Sequence, residues 1–163
     1  MTQPVNSIKT LTISSKQGEK MTEQAESIRL ERCVIVLDEQ LPAGRAANAA
    51  AVLALTAGQR HPGLVGLPLT DASGQAHPGL IPIGIAVLSA TEEELGAIHR
   101  QANASEGVDV VDFPVQGQMT TNYGEFMAVV AQIPAGELRY LGLALVGQKK
   151  AIAKLVAKKK LFG

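Results

Sequence analysis

The chain of 163 residues carries 15 basic and 15 acidic side chains, so its formal net charge is zero. Hydrophobic residues at 46% exclude a wholly disordered chain, and the single cysteine, Cys33, excludes a disulfide scaffold. No uncharged apolar run reaches the roughly 18 residues of a membrane span and no secretion signal is evident, so we expect a soluble cytoplasmic protein without membrane partners.

Charge is unevenly distributed along the chain. Residues 33–148 carry four basic and eleven acidic side chains, whereas residues 149–163 carry six lysines and no acidic residue. This lysine-rich end predicts either a contact with nucleic acid or an exposed helix whose lysines complement the helix dipole. The candidate nucleic-acid contacts are Lys149, Lys150 and Lys154.

The N-terminal segment, residues 1–31, is polar and holds no sustained hydrophobic period. It predicts a mobile or loosely docked tail, with at most a short edge strand over residues 8–13. The sequence then changes character, and residues 32–163 predict one α/β domain. The first element of this domain is the apolar run Cys33–Leu37, which is typical of a buried central strand. Cys33 is therefore expected to pack in the core rather than to act as a nucleophile.

Strand and helix patterns alternate through the rest of the domain. An alanine-rich helix over residues 46–56 follows the first strand, and Thr91 with Glu94 forms a capping box that opens a second helix, to about residue 104. The further predicted strands are 65–69, 81–88, 108–113 and 139–146, and the further helices are 125–132 and 148–158. This alternation predicts a three-layer α/β/α fold with a mixed, mostly parallel sheet of four to five strands.

Ligands of such sheets bind at the carboxyl ends of the strands, and the loops expected there are 38–45, 114–123 and 147–150. Asn48 interrupts the nearly all-apolar first helix, so its amide either hydrogen-bonds a neighbouring loop or contacts a ligand. The second loop is rich in hydroxyls and amides, as a site wall would be, unless Thr121 or Asn122 caps the next helix. The predicted ligand-binding residues are Arg45, Asn48, Thr120, Thr121 and Tyr123.

The three histidines lack the spacing of a dedicated metal site. His61 and His77 each precede Pro-Gly in two similar segments sixteen residues apart, where we expect them to shape turns. The chain also lacks the Gly-x-Gly-x-x-Gly and Walker-type phosphate motifs. We therefore expect neither a metal nor a cofactor.

Many short segments of the chain are similar to segments of one bacterial protein family and occur in the same order. They are Cys33–Asp38, Leu41–Leu53, His61–Leu64, Thr70–Gly74, His77–Gly79, Val111–Phe113, Thr121–Tyr123, Leu138–Gly142 and Gly147–Ala151. Through them, residues 32–163 resemble the domain-of-unknown-function family numbered two thousand. That family is similar in fold to type-two peptidyl-tRNA hydrolases, in which a Gly-Lys turn enters the first helix where this chain has Gly44–Arg45.

The resemblance implies the hydrolase fold without the hydrolase chemistry. The helix histidine, the loop aspartate and the lysine of those enzymes fall near Val52 or Leu53, near Val115 or Gln116, and at Arg45. Thr120 or Thr121 stands for their loop threonine. The general acid–base groups are therefore missing, and a shared fold does not carry the function with it.

Three functions remain open. The first is a non-hydrolytic protein that binds a small polar or anionic ligand in the former active-site cleft, with Arg45 pairing an anionic group. The second is a hydrolase of peptidyl-tRNA or another ester with a rebuilt site, in which Asp71 and His77 form the acid–base pair. The third is an RNA-associated protein that uses the lysine-rich end. We favour the first, and the apolar face of the alanine-rich helix leaves a homodimer open.

Overall fold

The computed structural model describes residues 30–163, so the tail and the edge strand over residues 8–13 lie outside the described residues, except for Leu30 and Glu31. The strands of this part are β1 (Arg32–Asp38), β2 (Leu69–Thr70), β3 (Ala76–His77), β4 (Ile85–Ala90), β5 (Val108–Pro114), β6 (Tyr140–Gly147) and β7 (Lys160–Leu161). The helices are α1 (Ala43–Arg60), α2 (Glu92–Asn103), α3 (Tyr123–Val130) and α4 (Lys149–Leu155).

Five strands form the main sheet in the order β5-β6-β1-β4-β7, and β2 pairs with β3 in a separate hairpin. The α/β class is confirmed, but the prediction of a mostly parallel sheet is wrong. Only β1 and β4 are paired in parallel within the described sheet, whereas β6 runs antiparallel to both β1 and β5, and β7 runs antiparallel to β4. The reason lies between β5 and β6, where α3 buries none of its own residues and makes no crossover over the sheet.

The directions of the strands also show that the predicted location of one loop is wrong. β1, β4 and β5 all point the same way, so the loops over residues 38–45 and 114–123 do meet at one edge of the sheet. β6 points the opposite way, and its last residue, Gly147, lies opposite the starts of β1 and β5. The loop over residues 147–150 is therefore at the other edge, away from the site that we expected it to line.

The two faces of the sheet are covered differently. On β1, Ile35 and Leu37 pack against α1, and Val34 and Val36 pack on the face that α2 and α4 cover. All four side chains are buried, as the apolar run predicts for a central strand. Five strands at about 4.8 Å spacing span roughly 19 Å, whereas one helix is about 10 Å wide. α1 alone therefore leaves the edges of its face uncovered.

Several predicted boundaries shift. The predicted strand over residues 65–69 is wrong, because a 3₁₀ turn at Pro62–Leu64 precedes it and the strand pairing begins at Leu69. β4 begins only at Ile85, since Gly84 adopts a φ of 66° that ends extended pairing before it. The closing helix stops at Leu155 rather than near residue 158, and the chain then turns back to form β7.

Other local predictions are confirmed. The Thr91 hydroxyl accepts a hydrogen bond from the Glu94 amide at 3.3 Å, and the Glu94 carboxylate accepts one from the Thr91 amide at 3.0 Å. This reciprocal pair is the capping box that begins α2. None of the helices in residues 30–163 combines the length and the apolar character needed to cross a bilayer.

Candidate functional site

An open cleft of about 380 Å³ lies beside α1, at the edge of the sheet formed by β5. Its floor is apolar and comes from α1 and β5, while the segment over residues 117–126 forms the opposite wall. The lining residues are Val52, Leu53, Thr56, Val111, Asp112, Phe113, Gly117, Thr120, Thr121, Asn122, Tyr123 and Phe126. The cleft thus occupies the strip of sheet that a single covering helix leaves exposed.

Local hydrogen bonds hold the wall of the cleft in place. The Asn122 side chain accepts from the Glu125 amide at 2.9 Å and caps α3, so Asn122, rather than Thr121, is the capping residue. The Glu125 carboxylate accepts from both the amide and the hydroxyl of Thr121, each at 2.9 Å. These two bonds lower the pKa of Glu125. The Thr120 hydroxyl donates to the Gln116 carbonyl at 3.0 Å.

The predicted ligand-binding residues fall into two groups. Thr120, Thr121 and Tyr123 line the cleft, whereas Arg45 and Asn48 lie nearer the start of α1 and are outside its lining.

The Gln118 side chain binds both residues of the second group. Its amide nitrogen donates to the Asn48 side-chain oxygen at 2.9 Å and to the Arg45 carbonyl at 3.1 Å. Of the two roles left open for Asn48, the structure therefore supports the hydrogen bond to a neighbouring loop.

Each histidine contacts one aspartate in the described structure. The His61 Nε2 atom lies 2.7 Å from Asp109 Oδ2, and the His99 Nε2 atom lies 2.8 Å from Asp112 Oδ2. Sequence reasoning missed both pairs because their members are 48 and 13 residues apart in the chain. The two aspartates share β5, and no local spacing signals that contact.

Asp71 and His77, the predicted acid–base pair, do meet. The His77 Nε2 atom lies 3.2 Å from Asp71 Oδ2, on the hairpin formed by β2 and β3. Asp71 also accepts from the amides of Ser73 and Gln75, which builds the hairpin turn. The bond from Gln75, followed by that of His77, lowers the pKa of Asp71. Both side chains are well exposed and neither lines the cleft.

Asp109 joins the end of α1 to β5. The Arg60 guanidinium donates two hydrogen bonds to its carboxylate, both at 2.7 Å, and His61 adds the third contact. The Asp109 side chain is only 14% exposed, so these partners satisfy a carboxylate that is largely removed from water. Arg60 is the main cause of the lowered pKa of Asp109. This cluster fixes one end of the cleft floor.

The basic terminal segment does not form a single surface. Lys149, Lys150 and Lys154 are exposed on α4, but Lys159 forms an ion pair with Glu94 on α2. That ion pair lowers the pKa of Glu94. Lys160 lies on β7, the edge strand opposite β4. The nucleic-acid contact stays a prediction.

Two further groups bear on possible chemistry. Cys33 is buried in β1, and burial raises the pKa of its thiol, as expected for a core residue. Within residues 30–163, no three side chains among His, Cys, Asp and Glu are grouped closely enough to hold a metal ion.

Comparison with known proteins assigns the family. Residues 31–162 match the family described as Protein of unknown function (DUF2000). The chain belongs to the DUF2000 family. The match includes every residue that lines the cleft.

A solved structure of a protein of unknown function, Atu0240 from Agrobacterium tumefaciens str. C58, has a similar fold. The TM-score is 0.73 at 19% sequence identity, and the match covers 81% of this chain and 97% of that chain. No curated protein matches this sequence. The resemblance of the DUF2000 fold to peptidyl-tRNA hydrolases stays a prediction.

Proposed function

We propose that this DUF2000 protein binds a small molecule with an apolar body and an uncharged polar end in the cleft between α1, β5 and α3. One observation carries the proposal. Two positions that the hydrolase resemblance implies for the active site, the histidine position near Val52 or Leu53 and the threonine position at Thr120 or Thr121, line this one cleft. They come from distant parts of the chain, so their convergence does not follow from sequence proximity.

The size and the lining of the cleft support this class of ligand. Its volume of about 380 Å³ is in the range of small-molecule sites. Leu53, Val111 and Phe113 supply an apolar floor, and Thr120 and Tyr123 bring hydroxyl groups to the opposite wall. A ligand would gain affinity from the floor and orientation from the hydroxyls.

The charge of the site argues for an uncharged ligand rather than an anion. The lining contains no lysine or arginine from residues 30–163, and the carboxylate of Asp112 is bound to His99. Arg45 lies seven residues before Val52 on α1, about 10 Å along the helix axis, and Gln118 binds the helix at Arg45 and Asn48. We therefore retain the polar ligand of our expectation and set aside the anionic one.

Binding without hydrolysis fits the same residues. The resemblance places the histidine of the hydrolases near Val52 or Leu53, and neither of these side chains transfers a proton. A rebuilt hydrolase would need Asp71 and His77 at the cleft, yet the hairpin that carries them does not line it. Binding is therefore the function that the cleft supports better.

Two related dyes test the proposal directly. N-Phenyl-1-naphthylamine is neutral and 8-anilinonaphthalene-1-sulfonate is anionic, and the chain has no tryptophan to interfere with their fluorescence. We expect the neutral dye to bind more tightly. Thr56→Phe places a ring in the cleft and should weaken this binding by about tenfold, or about 1.4 kcal/mol.

A matched variant controls for the added ring. Leu55 is the neighbouring residue of α1, is 78% exposed and does not line the cleft. Leu55→Phe should leave the affinity of the neutral dye unchanged. Tighter binding of the anionic dye, or equal binding by both variants, would contradict the proposal. Far-UV circular dichroism and thermal melting of each variant confirm that the fold is intact.

A further inference from the structure

A second cavity, of about 390 Å³, lies on the other face of the sheet, between α2 and the segment that leads into β6. Unlike the lining of the cleft, its lining includes a histidine and an arginine. The lining residues are Gly96, His99, Arg100, Asn103, Ala135, Gly136, Leu138 and Tyr140. We refer to this cavity as the α2 groove. None of its residues belongs to the cleft described above.

Hydrogen bonds beside the α2 groove link three side chains: His99 and Tyr140, which line the groove, and Asp112, which lines the cleft. His99 Nε2 lies 2.8 Å from Asp112 Oδ2, and the Tyr140 hydroxyl lies 3.3 Å from His99 Nδ1. The rings of His99 and Tyr140 also contact each other, with centroids 4.5 Å apart and planes tilted by 32°. Asn103 donates to the His99 carbonyl at 2.9 Å. These contacts hold the imidazole in place, because its Nε2 atom faces Asp112 and lies 3.1 Å from the Asn103 side-chain nitrogen, while its Nδ1 atom faces the Tyr140 hydroxyl.

Arg100 supplies the charge of the α2 groove. Its guanidinium has no hydrogen bond or ion pair to another side chain within residues 30–163, unlike Arg60 and Arg139. Gly96 lies one turn earlier on α2, and a Cβ at that position would be 3.4 Å from Arg100 Nη1. The missing side chain leaves room for a ligand atom against the guanidinium.

Acidic groups adjoin the α2 groove. Glu92, Glu93 and Glu137 line a neighbouring depression, which also includes Arg139 and shares Arg100 and Tyr140 with the groove. Arg139 lies 3.5 Å from Glu92, and among residues 30–163 the lining of the groove itself contains Arg100 and no carboxylate. Burial raises the pKa of Tyr140, and the Asp112 carboxylate adds to this effect, so its hydroxyl remains a hydrogen-bond donor at neutral pH.

We propose that the α2 groove binds the oxyanion group of a small molecule, a carboxylate or a phosphate, with Arg100 as its charge partner and Tyr140 as a hydroxyl donor. The Tyr140 hydroxyl is a hydrogen-bond donor, and both it and the Arg100 guanidinium line the groove, so an oxyanion that enters the groove can contact the two together.

Nuclear magnetic resonance of the histidine rings tests the proposal in the full chain. The chain has three histidines, so His61 and His77 report on any effect that is not specific to the groove. Sodium sulfate and sodium acetate serve as probes at constant ionic strength, because sulfate keeps its charge between pH 6 and 8 and the two anions stand for the two oxyanion classes. We expect a saturable shift of the His99 signals, with the tighter probe identifying the class.

Three variants decide the outcome. Arg100→Gln should abolish the saturable shift, and Tyr140→Phe, which keeps the ring against His99, should weaken binding by about fivefold, or about 1 kcal/mol. Arg139→Gln removes a neighbouring arginine that is already paired with Glu92, and it should leave binding intact. Equal shifts of all three histidines, a saturable shift that survives in Arg100→Gln, or no saturation with either probe would overturn the proposal.

Discussion

The two faces of the sheet differ in how many helices cover them. One helix, α1, lies on the face that carries the cleft, and two helices, α2 and α4, lie on the face that carries the α2 groove. β5 contributes to both, because Phe113 lines the cleft and Asp112, which also lines it, binds His99 on α2. The two cavities have similar volumes, about 380 and 390 Å³, so the faces differ in the chemistry of their linings: the cleft has three threonines, and the groove has His99 and Arg100.

The largest expected effect on stability comes from replacing a buried leucine by alanine. It compares a leucine enclosed in the core with one that also lines the cleft. Leu95 on α2 and Leu53 on α1 are both fully buried, but Leu53 also lines the cleft. Each change to alanine should lower the free energy of unfolding by about 2–5 kcal/mol, with Leu95→Ala at the upper end because its cavity is enclosed on all sides. Urea denaturation measures both. A larger loss for Leu53→Ala would contradict the contrast between the faces.

The next effect compares the two aspartates of β5. The Asp109 side chain is 14% exposed with two hydrogen bonds from Arg60, whereas that of Asp112 is 41% exposed. Asp109→Asn should lower the free energy of unfolding by about 1.5–3 kcal/mol and Asp112→Asn by less than about 1 kcal/mol. The measurement is urea denaturation at pH 7. Equal losses would show that burial does not distinguish the two pairs.

The pH dependence of the folding stability provides a second test of the ion pair between Asp109 and Arg60. Arg60 lowers the pKa of Asp109 in the folded state below its unfolded value of about 3.9. Its stabilising contribution is therefore complete above about pH 4 and is lost as the pH falls toward the folded pKa. The stability difference between the wild type and Asp109→Asn should shrink below pH 4. A difference that stays constant to pH 2.5 would contradict this assignment.

Local sequence signals predicted the elements that depend on local chemistry. The apolar run of β1 and the capping box at Thr91 need only neighbouring residues. Sheet direction was not predictable in the same way. It depends on whether the segment between β5 and β6 crosses the sheet, and nothing in the hydrophobic pattern of α3 indicates that it buries none of its residues.

The part of the cleft that one loop contributes could be predicted from the sequence. Thr120, Thr121 and Tyr123 were identified because they are close together after a predicted strand, and all three line the cleft. The apolar floor was missed because Val111 and Phe113 have the pattern of core residues. The contact between His99 and Asp112 joins a helix to an edge strand, and the sequence of neither segment alone indicates it.

A smaller effect is expected from the cap of α2. Thr91→Ala removes the hydroxyl that accepts from Glu94 and breaks the capping box. Because Leu95 and Ile98 of α2 are buried in the core, we expect the helix to unfold together with the whole domain. The free energy of unfolding should fall by about 1 kcal/mol. Thr91→Ser keeps a hydroxyl and serves as the control, with less than half of that loss.

The smallest global effect is expected from the matching cap on the cleft face. Asn122→Ala removes the bond to the Glu125 amide, but no residue of α3 from Tyr123 to Val130 is buried. α3 can therefore open without the rest of the domain, and the lost cap of about 1 kcal/mol should appear locally, as about fivefold faster amide exchange in α3. The free energy of global unfolding should change by less than about 0.5 kcal/mol. A global loss equal to that of Thr91→Ala would show that α3 unfolds only together with the core, and would contradict the local opening of this wall of the cleft.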